Sequence, residues 1–171
     1  GPSTKSRSRQ DTVTLFFSNV SNWNDDVLDY LTREGSPNLW IVAETRITKR
    51  QYDTVLGKKL DYMGINSYPS HAYANPRSDA GRTADADGVD PGDATTAGVL
   101  IGAKHWMLVE QPMCVEADLS TVEGYIEPSD KDYVFVLWRS AGFNVLVGGL
   151  YAQRHNLLDV LARVGAFLAQ S

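Results

Sequence analysis

Leu39-Trp40-Ile41-Val42-Ala43-Glu44-Thr45-Arg46 is the stretch on which the fold turns. Five apolar residues in a row, rich in β-branched and aromatic types, read as a strand buried on both faces. A carboxylate directly after such a run is costly unless it is paired or metal-bound. The same form recurs on either side. Upstream, Thr12–Phe17 ends in Ser18-Asn19; far downstream, Val145–Leu150 ends in Tyr151-Ala152. Strands that finish in Asn, Glu and Tyr at one end of a sheet can gather those side chains in one cleft. Asn and Glu oxygens suit a hard divalent cation and Tyr suits a phosphate, so the order points to metal-assisted phosphodiester chemistry. Each residue also has a plain structural role open to it. Glu44 can pair with Arg46 or stand exposed at a strand end, Asn19 can shape a turn, and Tyr151 can be a core aromatic with a wet hydroxyl.

Between these strands the pattern alternates. Asn24-Asp25-Asp26 starts a helix whose stripe is Val27, Leu28 and Leu31, and Gly35-Ser36-Pro37 stops it. Thr48–Tyr62 reads as a second amphipathic helix, with Tyr52, Val55, Leu56 and Leu60 on one face. This β-α-β-α order is the signature of strands covered by helices. Ile65–Tyr73 reads as strand and loop. Ala97–Ala103 is a strand, which His105–Glu110 continues or pairs. Val122–Ile126, Tyr133–Arg139 and Phe143–Leu150 follow as strands close enough to pair antiparallel. Asn156–Leu168 is a last amphipathic helix. The expected class is α/β, with a mixed, mostly antiparallel sheet and flanking helices.

The chain has 171 residues, enough for one domain with a real core. Residues 1–11 are expected to be a flexible basic arm or tag remnant, and 12–171 a single α/β domain. Residues 75–96, rich in Asp, Ala and Gly, are expected to form a mobile acidic loop. The apolar fraction of 43% and charged fraction of 22% are those of a soluble globular protein. No apolar run is long enough to cross a bilayer. The one cysteine, Cys114, makes no internal disulfide, which suits an intracellular compartment, nuclear or cytoplasmic. A net charge of −5 is not the footprint of a general nucleic-acid binder, although charge pooled over an arm and a loop says little about a cleft elsewhere.

Several chemistries are absent. There is no glycine-rich phosphate loop and no Gly-x-Ser-x-Gly elbow. His71, His105 and His155 lack metal-ligand spacing. Of the three, His71 lies in a Ser/Tyr-rich loop and is the one placed to reach a cleft. Asp85-Ala86-Asp87-Gly88 lacks the spacing and the closing Glu of a calcium loop.

Taken in order, these segments resemble the endonuclease/exonuclease/phosphatase family, the DNase I-like fold, and within it the apurinic-type endonuclease domains of retroelements. The matching pieces are Leu15–Val20, the helix Asp25–Arg33, Pro37–Arg46, Thr96–Ile101, Phe143–Ala152 and the final helix. The resemblance implies part of an α/β sandwich and a Mg²⁺- or Mn²⁺-dependent cleavage of a phosphodiester, DNA favoured. By match, Glu44 and Asn19 sit in the metal site, with Glu44 holding the ion. Tyr151 contacts the scissile phosphate. Arg46 is a basic residue beside the metal site, and Asn22, in the loop after the first strand, is a neighbour of the cleft.

The departures shape the expectation. Ala43 stands where the family commonly has Gln, and Gln153 where it commonly has Pro. The family's Asp-x-Asn and Ser-Asp-His motifs, which supply an acid and the general base, do not occur in this sequence. The resemblance therefore implies an apparently C-terminally incomplete domain that binds metal weakly and cleaves weakly or not at all. The alternative is a catalytically inactive binding or interaction domain on the same scaffold. Nucleic acid is the expected partner, and uncovered sheet edges favour self-association.

Overall fold

The structure, a computed structural model, describes residues 12–77, 95–111 and 126–170. The strands are β1 (Leu15–Asn19), β2 (Leu39–Ala43), β3 (Ile65–Ser70), β4 (Tyr73–Ala74), β5 (Thr95–Thr96), β6 (Val99–Lys104), β7 (Leu108–Glu110), β8 (Tyr133–Ser140) and β9 (Phe143–Leu150). The helices are α1 (Asp25–Thr32), α2 (49–62) and α3 (Leu157–Gln170). One sheet has the order β1-β2-β6-β3 and a second the order β7-β8-β9, while β4 and β5 make a separate ribbon. Among the described strands the β1–β2 pair is parallel and the other pairs are antiparallel.

The strand alternation of β2 sets the layers. Trp40 and Val42 face Leu28 and Leu31 of α1 and Leu56 and Leu60 of α2. Leu39 and Ala43 face the other way, onto Val109 of β7 and Val134 and Val136 of β8. The outer face of the second sheet, at Tyr133 and Phe135, is covered by Val160, Val164 and Phe167 of α3. The result is four layers: helices, sheet, sheet, helix. A strand in the second layer is buried on both faces, which is why 39–43 reads as one apolar run. Full burial of a side chain such as Leu31 or Leu60 contributes about 1.5–3 kcal/mol each.

Local chemistry places the helices. The Asn24 side chain accepts from Val27 N at 3.0 Å, and Asp25 and Asp26 occupy the positive end of α1. Thr48 and Gln51 form a reciprocal cap at the start of α2. The middle of α2, Tyr52–Leu56, is π-helical. That widened turn carries the Tyr52 hydroxyl to Ser67 Oγ, 2.6 Å away on β3. A tight fit also joins β2 to β6: Trp40 lies opposite Gly102, and a Cβ there would stand 2.1 Å from the Trp40 ring.

The expected class is the observed one. Its antiparallel strands divide between two sheets because the chain turns at 105–107 after β6 and pairs β7 with β8. Within 75–96, Thr95–Thr96 is not loop but β5, paired with Tyr73–Ala74, and 78–94 lies outside the described residues. So do the arm at 1–11 and residues 122–125 of the expected strand Val122–Ile126; Ile126 itself is not in a strand. Among the described residues no helix is long and apolar enough to cross a membrane.

Candidate functional site

β2 ends at Ala43, and the chain beyond it takes an unusual path. Glu44 has φ 58° and Arg46 φ 59°, the left-handed region that side chains other than glycine seldom adopt. Neighbours on both sides clamp this segment. Thr45 N donates to Gly98 O at 3.0 Å and Arg46 N to Ala97 O at 2.9 Å. Thr95 Oγ1 donates to Arg46 O at 3.1 Å, and Trp23 N to Thr45 O at 2.9 Å. Ala97 and Gly98 are left-handed too, at φ 66° and 90°. Gly98 has no substitute there, since a Cβ would fall 2.5 Å from Thr45 Oγ1.

The clamp presents Glu44 and Arg46 together. Arg46 Nη2 donates to Glu44 Oε1 at 3.3 Å, with both side chains mostly buried. Tyr151, just past β9, lies beside the same carboxylate. Burial pushes the Tyr151 phenol up, and the adjacent Glu44 charge adds to it. Gln153 lies near that hydroxyl, and its Nε2 donates to Thr96 Oγ1 at 2.6 Å. A cation, a carboxylate and a phenol thus converge from the ends of β2 and β9.

The remaining expected residues lie around this group. Asn19 is opposite Ala43 in the β1–β2 register, one residue from Glu44. Its Oδ1 is turned back to accept from Ser21 N at 2.9 Å, in a turn where Ser21 has φ 57°. Asn22 follows, and its Oδ1 is buried with no hydrogen-bond partner among the described residues. The bond from Trp23 to Thr45 holds that loop against the Glu44 segment. His71 packs on Tyr52, with ring centroids 5.7 Å apart, in a crevice lined by Thr45 and Ile47. His155 lies ahead of α3, its Nδ1 3.0 Å from Arg77 Nη2, and His105 pairs with Asp61 at 3.3 Å.

A Mg²⁺ ion takes oxygen ligands, several of them charged or water. Glu44 and the Asn oxygens are hard ligands of the right type. Their number and engagement do not fit a resident ion. Among the described residues Glu44 is the one carboxylate of this group, its charge is matched by Arg46, and Asn19 Oδ1 is bonded to Ser21. Among the described residues no group of three or more His, Cys, Asp and Glu is placed to hold a metal ion.

A second polar group, not foreseen from the sequence, adjoins the first. Asp132 is fully buried at the entry to β8. It accepts from Arg163 Nη2 at 2.5 Å and from the Tyr73 hydroxyl at 3.2 Å. Arg163 also bonds Asp130, and Asp130 Oδ1 accepts from Asp132 N at 2.7 Å. Burial works against the Arg163 charge, but the bonds to Asp132 and Asp130 outweigh it and hold the guanidinium above its ordinary value. Burial and Asp132 together push the Tyr73 phenol up to about 12. Tyr151 N donates to Asp132 O at 2.9 Å, which ties the two groups together. The available signal was Ser129-Asp130-Lys131-Asp132, a pair of carboxylates directly before a buried strand.

Four layers with a polar cleft at the strand ends define the class as an α/β sandwich. No protein-family model matches the chain, and no curated protein matches it. Two solved structures are similar in arrangement. One is a variant of the 3′ phosphatase NExo from Neisseria bound to a product DNA hairpin, with 15% identity and a TM-score of 0.41 over 79% of this chain and 40% of that one. The other is the 3′-5′ exonuclease NExo from Neisseria meningitidis, with 16% identity and a TM-score of 0.38 over 76% of this chain and 38% of that one. The chain thus spans about two fifths of the length of each.

Proposed function

We propose that this chain binds a nucleic-acid phosphodiester, DNA in preference, at the cleft formed by Glu44, Arg46 and Tyr151, and hydrolyses it weakly or not at all. The observation that carries the reading is the convergence of those three side chains from β2 and β9. Arg46 would exchange the Glu44 carboxylate for a phosphate oxygen, which its planar fork suits. The Tyr151 hydroxyl would donate to the same phosphate. Turnover also needs a base to activate water and a means of stabilising the leaving oxygen. Matching Glu44 with Arg46 leaves little negative charge to draw a divalent ion, which supports binding over hydrolysis.

The test pairs DNA binding with nicking. Fluorescence anisotropy of a short labelled duplex should show binding that weakens about tenfold in Arg46→Ala, the loss of one charged hydrogen bond. Supercoiled plasmid with Mg²⁺ or Mn²⁺ should be nicked slowly or not at all. Duplex affinity unchanged in both Arg46→Ala and Tyr151→Phe would remove the reading. Fast metal-dependent nicking that vanishes in Glu44→Ala would overturn its weak-turnover part.

A second reading, self-association, is favoured by the edges of the two large sheets. β1 and β9 end the described strand orders, and Leu15 and Phe17 are 59% and 62% exposed. Light scattering should then show mass rising with concentration; a clean monomer at high concentration would count against it.

A further inference from the structure

The end of the strands away from Glu44 is closed by three turns, where α2 passes into β3, β6 into β7 and β8 into β9. Register fixes that placement. β6 runs antiparallel to β2, so its last residue, Lys104, lies far from Glu44 and opposite Ile65, where β3 begins. β9 begins at Phe143 and ends at Leu150, next to Tyr151, so its first residue belongs to the far end as well.

Each turn offers an exposed ring: Tyr62 is 92% exposed, Trp106 58% and Phe143 55%. The backbone beneath them is pinned. Gly64, at φ 86°, closes α2 just after Tyr62, and its carbonyl accepts from His105 N at 3.0 Å, which joins the first two turns. Met107 is buried and its N–H donates to Lys104 O at 2.9 Å, so Trp106 rides on a tight turn. Phe143 rests edge-on against Trp138 with centroids 6.0 Å apart, and the neighbouring Arg139 is paired with Leu108, which joins the third turn to the second.

Cations lie between the rings. Lys58 stands one helical turn before Tyr62 on the same face, Lys104 two residues before Trp106, and Arg139 four before Phe143. Two carboxylates at this end are engaged: Glu110 accepts from Arg139 at 2.7 Å, and Asp61 contacts His105 Nε2 at 3.3 Å. Lys58 and Lys104 make no ion pair among the described residues. Rings alternating with unneutralised lysines suit one kind of partner. The core of a protein–protein interface is poor in lysine, and a bilayer would have to take in Asp61, whose side chain is 75% exposed among the rings. A single-stranded nucleic acid stacks a base on each ring whatever its sequence, and its phosphates pass the lysines. A duplex keeps its bases stacked on one another and gives the rings nothing.

We propose that Tyr62, Trp106 and Phe143 form a stacking surface for single-stranded nucleic acid, with Lys58 and Lys104 holding its backbone. The surface is separate from the Glu44 cleft, and neither needs the other.

The probe is a labelled thymidine oligomer of about twelve nucleotides, in EDTA, followed by anisotropy and by tryptophan emission. Binding should quench the emission. Trp106→Ala and Tyr62→Ala, both at exposed positions, should each lower affinity about tenfold, and Trp106→Phe should restore most of it. Lys58→Gln should flatten the salt dependence by roughly one phosphate contact. The Trp106 effect should persist in an Arg46→Ala background, and Trp106→Ala should leave duplex affinity unchanged, so failure of the cleft reading leaves this one standing. Oligomer affinity indifferent to both Trp106→Ala and Tyr62→Ala overturns the proposal. So does Trp106-dependent sedimentation with phosphatidylcholine/phosphatidylserine vesicles, or a Trp106-dependent rise in mass, in a protein that does not bind the oligomer; these would assign the surface to a bilayer or to a second copy of the chain.

Discussion

Replacing Arg163 by Met should be among the most destabilising single changes in this protein. The side chain keeps its reach and flexibility, so the loss is the guanidinium rather than the volume. Asp132, with no exposed side-chain surface, loses its counter-charge and among the described residues keeps the Tyr73 hydroxyl at 3.2 Å. Asp130, 28% exposed, retains its bonds to Asp132 N and Tyr133 N. Asp159, 69% exposed, was bridged at 3.1 Å in solvent and adds little. Removing one partner of a buried pair costs about 3–5 kcal/mol, against a total stability of roughly 5–15 kcal/mol. At this chain length that lowers Tm by about 6–20 °C. Urea melts followed by tryptophan fluorescence measure the loss. A loss under about 1 kcal/mol would refute the view of Asp132 as a charge that needs Arg163.

Gly102→Ala should cost about 1–3 kcal/mol, because the new methyl would overlap Trp40 between two paired strands; a urea midpoint equal to the wild type would contradict that packing. Raising the pH should unfold the protein through its tyrosines. Burial first, then Asp132 beside Tyr73 and Asp130 beside Tyr133, push both phenols up from 10.0 to about 12. A raised phenol favours the fold in its neutral form, so this contribution is complete below pH 10 and lost between pH 10 and about 12. Tyrosinate absorbance should therefore rise late and together with loss of far-UV dichroism, and all eight tyrosines ionising near pH 10 with the fold intact would count against it.

Local signals carried the elements well. The strand at 39–43, the cap at Asn24 and the strand at 143–150 stand where their residues indicate. Those features depend on neighbours in sequence. The division into two sheets does not: it depends on which strand β7 chooses, and Leu108 and Val109 read equally well as a continuation of β6. The meeting of Glu44, Arg46 and Tyr151 was legible because each closes an apolar run. The grip of Gln153 on Thr96, 57 positions away, was not, since neither residue stands out in its own segment. Asp132 was hidden for another reason. A buried carboxylate looks like a turn residue until its cation, 31 positions later on α3, is known.

The left-handed backbone at Glu44, Arg46 and Ala97 sets a direction for sequence drift. Each side chain is held in a conformation that glycine would adopt without strain, at a cost of roughly 1–2 kcal/mol per residue. Selection for thermal stability alone would therefore favour glycine at positions 44 and 46, and in doing so would erase the cleft's carboxylate and its cation. A thermostable lineage of this chain would keep the four layers while shedding the chemistry at their edge. Retention of Glu44 and Arg46 in the face of that gradient would be the mark of a protein selected for what it binds.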